Sequence, residues 1–341
     1  MVLRKKNEPF VLEERPDPKA GPGEAVARVI ACGSGLTIHH ARAGRVEINY
    51  PIIIGHEVLG EIVETGHGVQ SFKSGDIVTV HCYLSCGHCR WCRVNRESLC
   101  NNLAGFVGRH VDGGYAEFIK LPAKNFIHVP EGLDYKNHPA EVAVICDAIA
   151  TPYKVIRRAR IAPLETVAVF GAGGGLGVHM VMMARWAHGR VIAVDISSEK
   201  LVKCREMGAE ATVDASKGNV VEALRELTHG TGVDVAIDFV SSVSTLEAAA
   251  ESLGKGGRLV TLGGYSPQPF RASASRLLNG ELEIMGSRAF TKLEIIESLE
   301  LCASGEIWPL VTETYRLEEA EKVHSRLEAG SITGRAAIVM G

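Results

Sequence analysis

The chain has 341 residues, 46% of them hydrophobic and 23% charged, with a formal net charge of −3. That length exceeds one comfortable core, so two domains are expected. With no basic block there is no electrostatic footprint for nucleic acid or an anionic membrane. The N-terminal stretch has basic residues but no apolar segment behind them, so it does not read as a signal peptide. No run reaches the roughly 18 apolar residues that a transmembrane helix needs. The chain therefore reads as cytoplasmic. Four of its nine cysteines crowd between Cys86 and Cys100, which in that compartment favours metal over disulfides.

Up to about residue 145, short β-rich segments alternate with Gly and Pro turns: GEAVARVIACG, PIIIGHEVLGEIVETG, SGDIVTVHCYL, GGYAEFIKLP and FIHVPEG. Strands at that spacing, without intervening helices, predict a mostly antiparallel β domain or barrel. From about residue 148 the texture changes. VAVFGAGGGLG leads into the helical VHMVMMARWAHG, then come VIAVD, SSEKLVKCREMG, ATVDA, VVEALRELTHG, VDVAIDFV, STLEAAAESLGKGG, RLVTLGG and ELEIMGS. Apolar strands alternating with helices predict an open, doubly wound parallel sheet. The tail holds two more helical segments, KLEIIESLELCASGEI and EEAEKVHSRLEAG, and a last strand, RAAIVM, expected to return to the first domain.

Cys86, Cys89, Cys92 and Cys100 read C-x2-C-x2-C-x7-C. Four thiolates so close together can surround one Zn²⁺ and leave no open position, which makes such a site structural. An iron–sulfur cluster also takes four thiolates, but the spacing after the third cysteine is wrong for the usual ferredoxin runs.

VAVFGAGGGLG puts a β-branched strand directly before glycines and a helix. The fingerprint is best placed as Ala172-x-Gly174-x-x-Gly177. Gly171, Gly174, Gly175, Leu176 and Gly177 are the candidate phosphate-cradling residues, with the N–H groups and dipole of the helix N-terminus behind them. Asp195 ends the next strand, where a carboxylate binds ribose hydroxyls and repels a 2′-phosphate; that predicts NAD(H) over NADP(H). Its plainer reading is a helix cap before Ser197.

Cys32 in ACGSG, His56 and Glu57 in GHE, and Asp147 in CDAIATPY lie far apart, and spacing alone does not join them. A thiolate, an imidazole and a carboxylate are nevertheless a workable catalytic zinc set, because three protein ligands leave one position open.

From end to end the sequence resembles the zinc-containing medium-chain dehydrogenase family. Cys-Gly-Ser at 32–34, Gly-His-Glu at 55–57, the four-cysteine lobe, the glycine fingerprint and a late Gly-Arg at 334–335 occur in the family's order. The resemblance implies an α/β protein with a GroES-like β domain over residues 1–147 that carries the zinc lobe at about 82–103. It implies a Rossmann NAD-binding domain over 148–287 and a C-terminal segment over 288–341. By the same resemblance Cys32, His56 and Asp147 hold the catalytic zinc, with Cys146 the alternative to Asp147. Glu57 is a nearby carboxylate able to exchange onto the metal. Ser34 binds the substrate oxygen and begins a proton relay, and Lys200 and Arg335 contact the ribose and phosphates of the cofactor.

Two departures stand out. The family usually carries Asp three residues after the cysteine and commonly His two residues later; this chain has Gly35 and Thr37. His39 and His40 are the candidates to complete the relay. The implied activity is reversible hydride transfer between a primary or secondary alcohol and NAD, giving an aldehyde or ketone. Two Zn²⁺ per subunit, a small-molecule alcohol or carbonyl partner and a homotetramer are implied with it, a homodimer being the alternative. The reaction is expected in the interdomain cleft. A zinc-free enoyl or quinone-type reductase and a non-catalytic NAD-binding protein are the competing readings.

Overall fold

Apolar-rich segments set apart by Gly and Pro turns make largely buried strands in the first 130 positions, and the computed structural model, which describes residues 1–263 and 268–341, arranges them around one long central strand. The elements are β1 (Val2–Leu3), β2 (Glu24–Ser34), α1 (Leu36–Arg42), β3 (Ile52–Ile53), β4 (Glu57–Thr65), β5 (Ile77–Val80), β6 (Phe118–Pro122) and β7 (Phe126–His128). β1 and β3 form a small antiparallel ladder of their own. β2 is the spine of the larger sheet, pairing antiparallel with β4 along one edge and with β6 along the other. β4, β5 and β7 follow in antiparallel order.

Helix α2 (Pro139–Val144) packs on β2 and β4 and runs straight into a π-helical turn, Ile145–Ile149. Extra residues per turn of this kind recur at functional sites, and Asp147 sits inside this one. Then comes α3 (Ala150–Ala159).

The chain divides after Ala150, with Thr151–Ala289 forming a second compact unit. It runs β8 (Thr166–Phe170), α4 (Gly177–Trp186), β9 (Arg190–Asp195), α5 (Ser198–Glu206), β10 (Ala211–Asp214), α6 (Val220–Leu227), β11 (Val233–Asp238), α7 (Val243–Ser252), β12 (Leu253–Thr261), α8 (Ala274–Gly280) and β13 (Glu283–Gly286). The six strands are parallel in the order β10-β9-β8-β11-β12-β13, the reversal of a doubly wound sheet. β8 and β11 read as nearly continuous apolar runs because helices cover both faces. Helix starts are set locally: Ser197 Oγ accepts from the Lys200 N–H, Asn219 from Val221 and Glu222, and Ser242 forms a capping box with Thr245. Phe170, Ile192, Val194, Leu224, Leu246 and Leu259 make the core of this unit.

Phe290–Gly341 rejoins the first unit as α9 (Lys292–Ala303), β14 (Val311–Tyr315), α10 (Ala320–Glu328) and β15 (Arg335–Val339). β15 pairs antiparallel with the C-terminal half of β2, setting Ala336 opposite Ser34 and Ile338 opposite Cys32. Among the described residues, no helix is long and apolar enough to cross a membrane. Helices α1 and α2 and strand β14 have no counterpart in the sequence reading. β12 begins at Leu253, where that reading still has the end of a helix.

Candidate active site and metal centres

The four cysteines of the lobe converge. Sγ–Sγ separations are 3.5 Å for Cys89–Cys92 and 4.0 Å for both Cys86–Cys92 and Cys89–Cys100. A disulfide would bring two sulfurs to about 2.05 Å. Four sulfurs about 2.3 Å from a tetrahedral zinc lie roughly 3.8 Å apart, so this spacing would suit an ion's coordination shell. The N–H groups of Cys86 and Cys89 point at Sγ of Cys100 and Cys86. Backbone N–H donors, that of Cys92 foremost, pull the Cys89 thiol down to about 6. Burial pushes Cys92 the other way, and a cation among the four would hold it as thiolate.

The second cluster is built by the register of the sheet. Pairing of β2 with β4 sets Glu57 opposite Gly33, and β15 brings Arg335 in beside Ser34 and Gly35. The π turn lowers Asp147 onto the same place. His56, Glu57 and Asp147 are all buried, and one donor atom from each falls within 4.8 Å of the others. Arg335 Nη2 donates to Asp147 Oδ2 at 2.8 Å and lies 3.2 Å from Glu57 Oε1. His56 Nε2 is 3.6 Å from Asp147 Oδ2. Phe106 packs edge-on against the His56 ring at 5.2 Å and walls one side.

Two carboxylates against one guanidinium leave a buried negative charge without compensation, an expensive arrangement. Neither oxygen of Glu57 has a hydrogen-bond donor among the described residues. Burial accordingly pushes its carboxyl up to about 8, while burial lowers His56 and keeps it neutral, the form that ligates metal. A divalent cation therefore fits here.

In the second unit, β8 ends in the glycine turn. A side chain at Gly177 would run into the carbonyl oxygen of Gly171, so only glycine lets α4 start this close to the strand. The Val178 and Met180 N–H groups already bond the carbonyls of Gly174 and Leu176, so a cradle suited to phosphate would use the N–H groups ahead of them, at the glycine turn where the helix begins. Asp195 at the end of β9 accepts from the Gly173 N–H at 2.8 Å and from the Ser197 N–H at 3.1 Å. It thus ties the glycine turn to the start of α5. Lys200 lies over Gly173, where a side chain would overlap its Cβ.

The sequence pattern described as the alcohol dehydrogenase GroES-like domain matches residues 21–131, and that of the zinc-binding dehydrogenases matches residues 175–304. An alcohol dehydrogenase of Geobacillus stearothermophilus is 37% identical, covering 95% of this chain and 94% of its own length. An NAD-dependent alcohol dehydrogenase of Sulfolobus acidocaldarius is 33% identical over 98% and 97%. The crystal structure of the alcohol dehydrogenase of Aeropyrum pernix superposes with a TM-score of 0.91 at 32% identity, over 99% of this chain and 98% of that one. The chain belongs to the zinc-containing medium-chain alcohol dehydrogenase family.

Within this family member, the residues singled out by sequence distribute unevenly. Cys32 is buried but does not join the His56, Glu57 and Asp147 group; its Sγ faces the carbonyl of Gly33 at 3.7 Å. The carboxylates have instead turned toward Arg335. Cys146 does not join either, its thiol donating to the carbonyl of Ala143 at 3.4 Å. Arg335, 4% exposed, stands with the metal-ligand candidates of the first unit. Ser34 is buried, with its hydroxyl hydrogen-bonded to that of Tyr115. His39, 8% exposed, and His40 lie on α1. Burial pushes His40 down to about 4, and its Nδ1 contacts Arg45 at 3.0 Å. Sequence reasoning missed Tyr115 and His324, and it missed the reach of Arg335 to both carboxylates. The only advance signal was Gly35, an absent side chain beside a buried charge.

Proposed function

We propose that this enzyme transfers hydride reversibly between a primary or secondary alcohol and NAD, using two zinc ions per subunit. The observation that carries the reading is the buried Glu57, whose two oxygens lack a hydrogen-bond donor beside His56 and Asp147. His56 and Asp147 would hold the catalytic ion, with Cys32 from the family pattern as third ligand and Glu57 ready to exchange. Cys86, Cys89, Cys92 and Cys100 would hold the structural one. A zinc held there would supply Lewis acidity, lowering the pKa of the substrate hydroxyl, and NAD would be the hydride acceptor. Ser34 would hydrogen-bond the substrate oxygen and take its proton. Phe106 and the buried surroundings of the cluster would exclude water, which strengthens every charge interaction there.

Asp195 supports NAD(H) over NADP(H), since a 2′-phosphate would meet its carboxylate. The family resemblance supports a cytoplasmic homotetramer, with a dimer as the alternative that light scattering would separate. One observation favours a zinc-free reductase on the same fold: Cys32 stands outside the ligand group.

Native mass spectrometry of the intact protein and of Cys32→Ser decides between the two. Two zincs falling to one support the alcohol dehydrogenase reading, and one zinc in both proteins sinks the metal-assisted mechanism. An NAD-linked alcohol panel then defines the substrate.

A further inference from the structure

Three polar side chains form a buried series that starts beside the ligand candidates and leads away from them. The hydroxyl of Ser34, on β2, is hydrogen-bonded to the hydroxyl of Tyr115. That hydroxyl in turn contacts Nε2 of His324, on α10, at 3.2 Å. All three residues are 0% exposed. Sinking three polar groups into an apolar interior is costly compared with apolar side chains of the same shape. Phenylalanine would fill the place of Tyr115 equally well, so packing does not explain the series.

Its far end is the imidazole of His324. Nδ1 of His324 is buried and has no hydrogen-bond partner among the described residues. The surroundings of the imidazole are specific. The Phe10 ring lies 4.7 Å from it. From α1, which packs against α10, Arg42 brings positive charge near and His39 opposes a second protonated imidazole. Arg42 also lies over Phe10 and pairs with Glu321 of α10 at 2.6 Å; Glu321 accepts from the Phe10 N–H as well. Burial first, then Arg42 and His39, push His324 down to about 3. Such a group resists holding a proton but can pass one between its two nitrogens.

We infer that Ser34, Tyr115 and His324 form a proton relay that carries the substrate hydroxyl's proton toward the α1–α10 side of the first unit. The inference rests on the alcohol dehydrogenase reading above. On oxidation, the carbon gives its hydride, two electrons with one hydrogen nucleus, to NAD. The hydroxyl proton goes to Ser34 Oγ as the serine's own proton passes to Tyr115 Oη. The tyrosine's proton passes to His324 Nε2, and the Nδ1 proton leaves to water. Each group gains a proton as it loses one, so none carries a standing charge. Reduction runs the same path inward.

The test uses the zinc-loaded enzyme with NAD and its best alcohol. Tyr115→Phe and His324→Asn are expected to lower kcat by roughly 100-fold or more, with zinc content, thermal stability and KM for NAD near wild type. In His324→Ala, added imidazole is expected to restore part of the rate, and Tyr115→Phe is expected not to respond. The solvent deuterium isotope effect on kcat should grow in both Tyr115→Phe and His324→Asn. Independently of turnover, ¹⁵N NMR of labelled histidine should show one buried imidazole whose Nε2 signal shifts in Tyr115→Phe. Wild-type rates in the variants overturn the relay alone. So does a loss that imidazole does not rescue and D₂O does not amplify. A zinc- and NAD-binding wild type that oxidises no alcohol overturns the alcohol dehydrogenase reading, and the relay with it.

Discussion

Arg335 occupies the space in which a side chain at Gly35 would begin: a Cβ built there overlaps Nη1 of the guanidinium. The two residues are 300 positions apart and meet because β15 zips onto the end of β2. Glycine at 35 therefore admits the arginine to Glu57 and Asp147, in the place where the family usually has an aspartate. A cation then sits where the family usually has an anion, and it offsets the charge of one of the two carboxylates from the protein side.

Gly35→Ala is the direct probe of that relationship. The methyl group must displace a buried guanidinium that pairs with two carboxylates. The substitution should cost about 1–3 kcal/mol, read by urea unfolding at constant m. An unchanged midpoint would mean that Arg335 moves aside freely.

The cysteine lobe makes the clearest metal prediction. Cys100→Ser should remove one zinc per chain and lower stability by at least ~3 kcal/mol, roughly 10 °C in Tm, because binding energy at a closed site is folding energy. Zinc release measured with a chromogenic chelator, alongside thermal melting, checks both halves. Retention of full stability after loss of that zinc would show the lobe to be held by packing instead.

His324 gives the pH prediction. Its folded value of about 3 lies below the ordinary 6.5, through burial first. A depressed folded value contributes stability that is fully present above pH 6.5 and is lost as pH falls toward 3, since only the unfolded chain takes up the proton. Between pH 7 and pH 5 the loss should be about 2 kcal/mol. His324→Asn should flatten that slope, as urea titrations at the two pH values would register.

Asp195 should set cofactor choice. Replacement by Ala removes the charge that opposes a 2′-phosphate and also the acceptor for the Gly173 N–H. The ratio of kcat/KM for NAD over NADP should fall at least ~10-fold, partly through a looser glycine turn that also slows the NAD reaction. Parallel assays with both cofactors read it, and an unmoved ratio would assign Asp195 to capping alone.

Much of this was legible along the chain. The four lobe cysteines lie within fifteen residues, so local spacing alone implies one ion. Short β-rich segments set apart by Gly and Pro turns before residue 145, and apolar strands alternating with helices after it, implied the antiparallel sheet and the parallel one. The glycine turn and Asp195 sit on consecutive strands of one βαβ unit.

What only the tertiary structure decided depends on contacts between segments remote in sequence. Arg335 against Glu57 and Asp147, and Tyr115 between Ser34 and His324, arise from register between β15, β2 and β4 and from the packing of α10 on α1. No pattern along the chain encodes such a pairing, because a register is chosen by the burial of whole faces at once. Arg335 shows the difference: the residue type was plain in the sequence, and its contact with Glu57 and Asp147 comes from the fold.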